Sequence, residues 1–305
     1  MTSRREEPFD LAALEAAVDR LFAAPAAPEP ASRREQRELF GRFRAALETG
    51  AARAAEPDPG QPTGWRVNPW VKRGILLGFR IGGIVDQSAG NPWAGKGLPF
   101  YDKDTYPVRR FAETGGVRIV PGGSAIRAGT YVASGVVCMP PMYVNVGAYV
   151  DSGTLVDSHA LVGSCSQIGK KVHLSAAAQI GGVLEPVGAS PVIVEDGCLV
   201  GGNCGVYEGT VVKRRAVLGA GVILTRSTPL YDLVHETIHR ATDEQPLVVP
   251  EGAVVVAGAR AVARGAGKDW GISLYTPVIV KYRDEGTEAR VQLEDWLREP
   301  GRGET

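Results

Sequence analysis

The chain is expected to be mainly β: a parallel β-helix with an N-terminal helical domain and a small C-terminal β/α cap. Three observations carry this. Aliphatic or cysteine residues recur every six positions through the middle of the chain, the fifth residue of most six-residue units is small or β-branched, and both flanks abandon this period. From Val120 the units read VPGGSA, IRAGTY, VASGVV, CMPPMY, VNVGAY, VDSGTL, VDSHAL, VGSCSQ, IGKKVH, LSAAAQ and IGGVLE. After the eight-residue insertion PVGASPVI the register resumes as VEDGCL, VGGNCG, VYEGTV, VKRRAV, LGAGVI and LTRSTP. With 44% hydrophobic residues overall, seventeen successes at preset positions would arise by chance roughly once in a million, or about once in 10⁴ after allowing for choice of phase and gap.

A period of six matches neither an amphipathic helix nor a simple strand, so each unit reads as one side of a coil. Three sides make an 18-residue turn. The first residue of each unit points inward, which stacks Ile126, Val144, Val162 and Ile180 in one column and Val132, Val150 and Ile168 in the next. Small fifth residues such as Thr130, Ala148, Thr154, Ala160 and Ala178 suit crowded corners. Nearly six coils at roughly 4.8 Å each give a prism about 27 Å tall.

The flanks follow other rules. Asp10 is placed to cap a helix carrying Leu11, Leu14, Val18, Leu21 and Phe22, which AAPAAPEPAS ends. A second helix is expected over Arg34 to Ala54, with Leu39, Phe40, Phe43 and Leu47 on one face. A third starts at Asn68 and Pro69 and runs to Arg80. Beyond the prism, AVVVAGARAV and ISLYTPVIVKY read as strands, and Thr287 to Arg298 as a closing helix. The expected division is therefore 1–112 mainly helical, 113–250 β-helix and 251–305 cap, with both ends covering the exposed edges of the terminal coils.

Composition narrows the function classes. Thirty-four basic residues balance thirty-four acidic ones, so no broad field favours nucleic acid or an anionic membrane. MTSRREEPFD has no apolar run after its charges, and no stretch of about 18 apolar residues occurs, which predicts a soluble cytoplasmic protein. Cys138, Cys165, Cys198 and Cys204 lack paired C-x-x-C spacing, so neither disulfides nor zinc are expected. A filled prism offers no deep pocket. An active site therefore needs a second wall, which a closed ring of three prisms supplies.

The repeat is similar to that of hexapeptide proteins, known as left-handed parallel β-helices and mostly acyltransferases that lay the pantetheine arm of an acyl-CoA along a cleft between prisms. The general crossover rule alone would make the coils right-handed; the left hand comes from this resemblance. More specifically, RVNPWVKRGILLGFR, GGVRIVP, MYVNVGAYVDSGTLVDSHALVGSCSQIGKKVHLS, GGVLEPVGASPVIVED and SLYTPVIVKY together resemble the tetrahydrodipicolinate N-succinyltransferase family of lysine and diaminopimelate synthesis, over roughly residues 63 to 283. That resemblance implies a cytoplasmic homotrimer that takes succinyl-CoA as co-substrate and a cyclic imine dicarboxylate as acceptor, with no permanently bound cofactor and no metal. It implies Asp157 of TLVD as the active-site aspartate and Arg118 of GGVRIVP as a substrate-binding arginine.

The chemistry suits these residue types. A nitrogen nucleophile loses a proton as it attacks a thioester, and a fixed carboxylate accepts it directly or through water. A guanidinium fork holds a substrate carboxylate in one orientation. Gly181, Gly182, Gly201 and Gly202 would allow close approach of the pantetheine chain or merely serve tight corners. Lys213, with Arg214 and Arg215, would meet the CoA phosphates or form a solvated corner.

In one respect the chain departs from the family pattern: where that pattern often carries a second acidic residue, GGNCGVYEG places Gly205. Glu208, three residues on, and Glu185 of VLEP are the acidic candidates to stand near it. An acetyl-CoA-dependent enzyme acting on a related amino dicarboxylate, or a non-catalytic scaffold, are the alternative readings. His235-Glu236-Thr237-Ile238-His239 has the H-E-x-x-H form, but no downstream histidine supplies a third zinc ligand. His159 and His173 occupy different unit positions and do not stack as ligands; His173 reads as a hydrogen-bonding wall residue.

Overall fold

The computed structural model describes residues 9–24, 30–88 and 99–283. Helix α1 (Leu11–Ala23) begins where Asp10 Oδ1 accepts the amide of Ala13 at 3.0 Å, and it buries Leu14 and Val18. Helix α2 (Pro30–Glu48) turns Leu39, Phe40, Phe43 and Leu47 into the same small core. It stops six residues before the expected Ala54 because Gly50 adopts φ +76°. The amides of Gly50 and Ala52 then fold back onto the carbonyls of Leu47 and Ala46, closing the helix end.

Helix α3 (Pro69–Ile81) starts at Asn68 and Pro69 as expected, although Asn68 does not cap it: the side-chain amide donates to the Arg53 carbonyl at 2.9 Å. Two glycines set how closely this helix packs. A Cβ on Gly74 would stand 2.5 Å from Phe43 Cζ, and one on Gly78 would stand 2.3 Å from both Phe40 Cε2 and the Tyr106 hydroxyl. Two short antiparallel hairpins, unanticipated from sequence, pair Ala55–Pro57 with Trp65–Val67 and Ile84–Asp86 with Tyr101–Lys103.

The prism has three parallel ladders. The first face stacks Tyr131–Val132, Tyr149–Val150, Gln167–Ile168, Ile193–Val194, Val211–Val212 and Val248–Val249. The second stacks Arg118–Ile119, Val137–Cys138, Leu155–Val156, His173–Leu174, Leu199–Val200 and Val217–Leu218. The third stacks Ala125–Ile126, Tyr143–Val144, Leu161–Val162, Gln179–Ile180, Gly205–Val206 and Ile223–Leu224.

Both expected columns are found in register, and their inward side chains fill one continuous core. Each buried valine, leucine or isoleucine contributes about 1.5–3 kcal/mol relative to exposure. Corners take positive φ at the fourth residue of the unit, as at Gly153 (φ 71°) and even at His159 (φ 62°). The insertion loops out between Ile180 and Ile193 without disturbing the stack, since Ile168 pairs with Val194. Its anchor is Lys72 of α3, a fully buried ammonium that donates to the Ala189 carbonyl and whose pKa burial lowers. All four cysteines are free and buried, and burial pushes the Cys138, Cys165 and Cys198 thiols up to about 12.

The N-terminal elements cover the first face. Arg53 lies 3.6 Å from the centroid of the Tyr149 ring and donates from Nε to Gln167 Oε1 at 3.0 Å, while Trp65 Nε1 donates to Glu195 Oε1 at 2.8 Å. The second and third faces instead carry half-exposed Leu155, Leu199 and Val217, and Leu161, Gln179 and Ile223.

Beyond the coils, strand Ala253–Ala261 continues the second ladder on Val217–Leu218 and turns back through α4 (Gly265–Asp269) into Ser273–Tyr282. The Tyr275 hydroxyl accepts from the Ile223 amide (2.6 Å) and donates to the Ile223 carbonyl (3.1 Å), ending the third ladder. The H-E-x-x-H segment is turn and strand, with Thr237–His239 pairing antiparallel to Leu230–Asp232. Both imidazoles face Asp232, His235 Nδ1 at 2.9 Å and His239 Nε2 at 3.5 Å from Oδ2. The expected helix over Thr287 to Arg298 lies outside the described residues. No described helix is long and apolar enough to cross a membrane.

Candidate active site

Asp157 follows inward Val156 at the corner between the second and third faces. Its amide donates to the Leu174 carbonyl of the next coil at 2.9 Å, and its carbonyl accepts from Ala160 at 3.1 Å, so the backbone is fixed on both sides. Oδ1 accepts from the Ser158 amide at 2.7 Å, which leaves Oδ2 directed away from the turn. That oxygen lies 4.0 Å from His173 Nε2. The carboxylate is 31% exposed against 13% for the imidazole, so Asp157 is reachable while His173 forms a packed wall beside it.

Arg118 extends outward from the first coil of the second face, in the column that continues through Val137, Leu155 and His173. Two ladder spacings separate it from the Asp157 coil, about 10 Å up the face. Its side chain has no partner among the described residues. A free fork and a fixed carboxylate at this separation suit a short molecule with an anionic end and a reactive nitrogen.

Above Asp157 the same corner carries Ser175, then Gly201 and Gly219 in successive coils. A Cβ on Gly201 would stand 2.7 Å from the Leu218 carbonyl oxygen and the Ala220 nitrogen, and one on Gly202 would stand 3.3 Å from the Ala176 oxygen. At Gly201 and Gly219 this corner, rising from the carboxylate, carries no side chain. Gly181 and Gly182 instead occupy the corner between the third and first faces, Gly181 beneath the Tyr207 ring and Gly182 against the Gly163–Ser164 backbone. The expected cofactor residues thus do not form one patch within a protomer.

Lys213 is a correction to the sequence reading. Its ammonium donates to Glu195 Oε1 at 2.9 Å and to the Thr63 carbonyl, so it clamps the N-terminal segment on the first face, away from the Asp157 corner. Neither acidic candidate stands at position 205. Glu208 Oε2 caps the Arg226 amide at 2.8 Å, and Glu185 lies exposed beside the insertion. His173 is a wall residue, as its sequence position suggests, and adding one 18-residue turn to Leu155 puts it in the coil above Asp157.

Comparison with known proteins agrees with this fold. The family described as Tetrahydrodipicolinate N-succinyltransferase N-terminal matches residues 13–81, and the Hexapeptide repeat of succinyl-transferase matches residues 191–226. The second match supports the left hand expected for the prism. A Cereibacter sphaeroides protein named 2,3,4,5-tetrahydropyridine-2,6-dicarboxylate N-succinyltransferase is 41% identical over 291 residues, covering 94% of this chain and 98% of that protein. Proteins of the same name from Paraburkholderia phymatum and Burkholderia multivorans are 46% and 44% identical, covering 83% and 87% of this chain and 86% and 90% of their own lengths. With nearly its whole length matched at this identity, the chain belongs to the tetrahydrodipicolinate N-succinyltransferase family.

Proposed function

We propose that the chain is a cytoplasmic, succinyl-CoA-dependent N-acyltransferase acting on tetrahydrodipicolinate in lysine and diaminopimelate biosynthesis. The near-full-length match to the Cereibacter sphaeroides relative carries this reading. The cyclic imine is hydrated or opened so that its nitrogen attacks the thioester carbonyl. The C–N bond forms, the C–S bond breaks, and CoA leaves as the thiol. Asp157 accepts the nitrogen's proton directly or through water, His173 fixes its surroundings, and Arg118 grips one substrate carboxylate. The corner at Gly201 and Gly202 would pass the pantetheine arm, whereas the Tyr207 ring covers Gly181.

The assembly proposed is a closed homotrimer. One face of the prism is covered by the chain's own N-terminal elements and the other two are bare, so each protomer has two different faces for two neighbours. The expected mass is about 97 kDa, three times 32.3 kDa. Incubating the protein with tetrahydrodipicolinate and either succinyl-CoA or acetyl-CoA, while following free thiol, tests the activity. Succinyl-CoA should give a kcat/KM at least about tenfold higher, because a donor lacking the distal carboxylate leaves its binding group unpaired. An equal or reversed preference would move the donor to acetyl-CoA, and no thiol release with either would leave a scaffold.

A further inference from the structure

Gly205 lies on the third face between Gln179 below and Ile223 above, and as the outward residue of its strand it would present a side chain to the cleft. The Tyr207 ring takes that space. A Cβ on Gly205 would stand 2.4 Å from Tyr207 Cε2 and 2.8 Å from its hydroxyl, and one on Gly181, a coil below, would stand 2.7 Å from Tyr207 Cδ1. Two glycines in adjacent coils therefore let one ring lie flat against the prism wall. The ring is half-buried, and its hydroxyl has no partner among the described residues. At that coil the surface offered by the third face is a phenol that both donates and accepts.

The two bare faces set what this hydroxyl would meet. In a closed ring the third face of one prism looks across a cleft at the second face of the next, which carries Arg118 and His173 and ends at Asp157. We propose that Tyr207 is a specificity-determining residue that donates a hydrogen bond, across the protomer boundary, to a carboxylate of an acceptor dicarboxylate whose nitrogen reacts beside the neighbour's Asp157, two ladder spacings lower on the prism. The ring held over Gly181 and Gly205 fixes the hydroxyl's height on the wall, and a glycine at 205 keeps negative charge off the surface that receives an anion. This rests on the proposed transferase reading and deepens it.

Tyr207→Phe tests it, because the ring keeps its seat and only the donor goes. The KM for tetrahydrodipicolinate should rise about 10–30-fold, as expected for one hydrogen bond to a charged group, with kcat within about threefold and the KM for succinyl-CoA unchanged. Gly205→Ala should copy the effect by lifting the ring, and should add little once Tyr207 is already Phe or Ala. Mixing Asp157→Asn protomers with Tyr207→Phe protomers by unfolding and reassembly should restore about a quarter of wild-type sites at low acceptor concentration, since each site draws the two residues from different chains. A Tyr207→Phe enzyme within twofold of wild type overturns the proposal, as does a loss that mixing does not relieve. Should the wild type turn over neither substrate, calorimetry with piperidine-2,6-dicarboxylate in the presence of CoA separates the two readings. Weaker binding by Tyr207→Phe keeps Tyr207 as an anion contact while the transferase reading fails. Equal binding, or none by the wild type, overturns Tyr207 as well.

Discussion

His173 Nε2 lies 4.0 Å from Asp157 Oδ2, one coil apart at a corner where neither backbone is free to move. The pair sets an imidazole on the packed wall beside the corner carboxylate. Replacing Asp157 by Asn keeps its size and the bond from Ser158 but removes the proton acceptor. kcat should fall by roughly 10²–10⁴-fold while the assembly and CoA affinity persist, measured by steady-state kinetics and sedimentation. Near-normal turnover would place the base elsewhere.

Arg118→Lys separates binding from chemistry. An ammonium keeps the charge but loses the planar fork, so the KM for the dicarboxylate should rise by about tenfold or more with a smaller change in kcat. A fall in kcat equal to that of Asp157→Asn would show that Arg118 acts on the reacting atoms instead.

The Asp232 cluster makes a prediction about acid. Burial alone would push this carboxyl up, but the Tyr282 hydroxyl (2.7 Å), the His235 imidazole and the His235 and Val234 amides outweigh it and hold the group well below the usual carboxylate range. A carboxyl depressed on folding stabilises the protein fully above its unfolded pKa, about 3.9, and that stability is lost as pH falls toward the folded value. The wild-type melting temperature should therefore drop as pH falls below about 4. Asp232→Asn should be less stable at pH 7 and show a shallower acid dependence; parallel curves would mean that other carboxylates govern it.

Packing of α3 gives the fourth test. Gly78→Ala would drive a methyl into Phe40 and the Tyr106 hydroxyl, which also donates to the Ile75 carbonyl at 2.6 Å. A loss of about 1–3 kcal/mol is expected from denaturant unfolding. Unchanged stability would mean that the helix shifts freely.

The prism was legible because its signal is redundant: Val144, Val162 and Ile180 repeat one decision, and a parallel ladder turns spacing directly into contact. The ends of elements were less so. Gly50 stops α2 through its own dihedral, a signal present in the sequence but outweighed by the alanines around it. The hairpins at Ala55–Pro57 and Ile84–Asp86 are three-residue strands with no period to detect. At the site, Asp157 and Arg118 came from local motifs. The seating of Tyr207 depends on Gly181, 26 residues earlier in the chain yet a coil away in space, because the insertion hides their equivalence.

A ladder of identical coils has no intrinsic reason to stop, and its last strand is a template for another. On the third face that template is occupied by one phenol: Tyr275 takes both hydrogen-bonding groups of Ile223 that a further strand would use. The coil count is thus set partly from outside the repeat, by a hairpin residue acting as a terminator. Loss of that hydroxyl would leave an open growing end, and with it a route from discrete particles to end-to-end fibres.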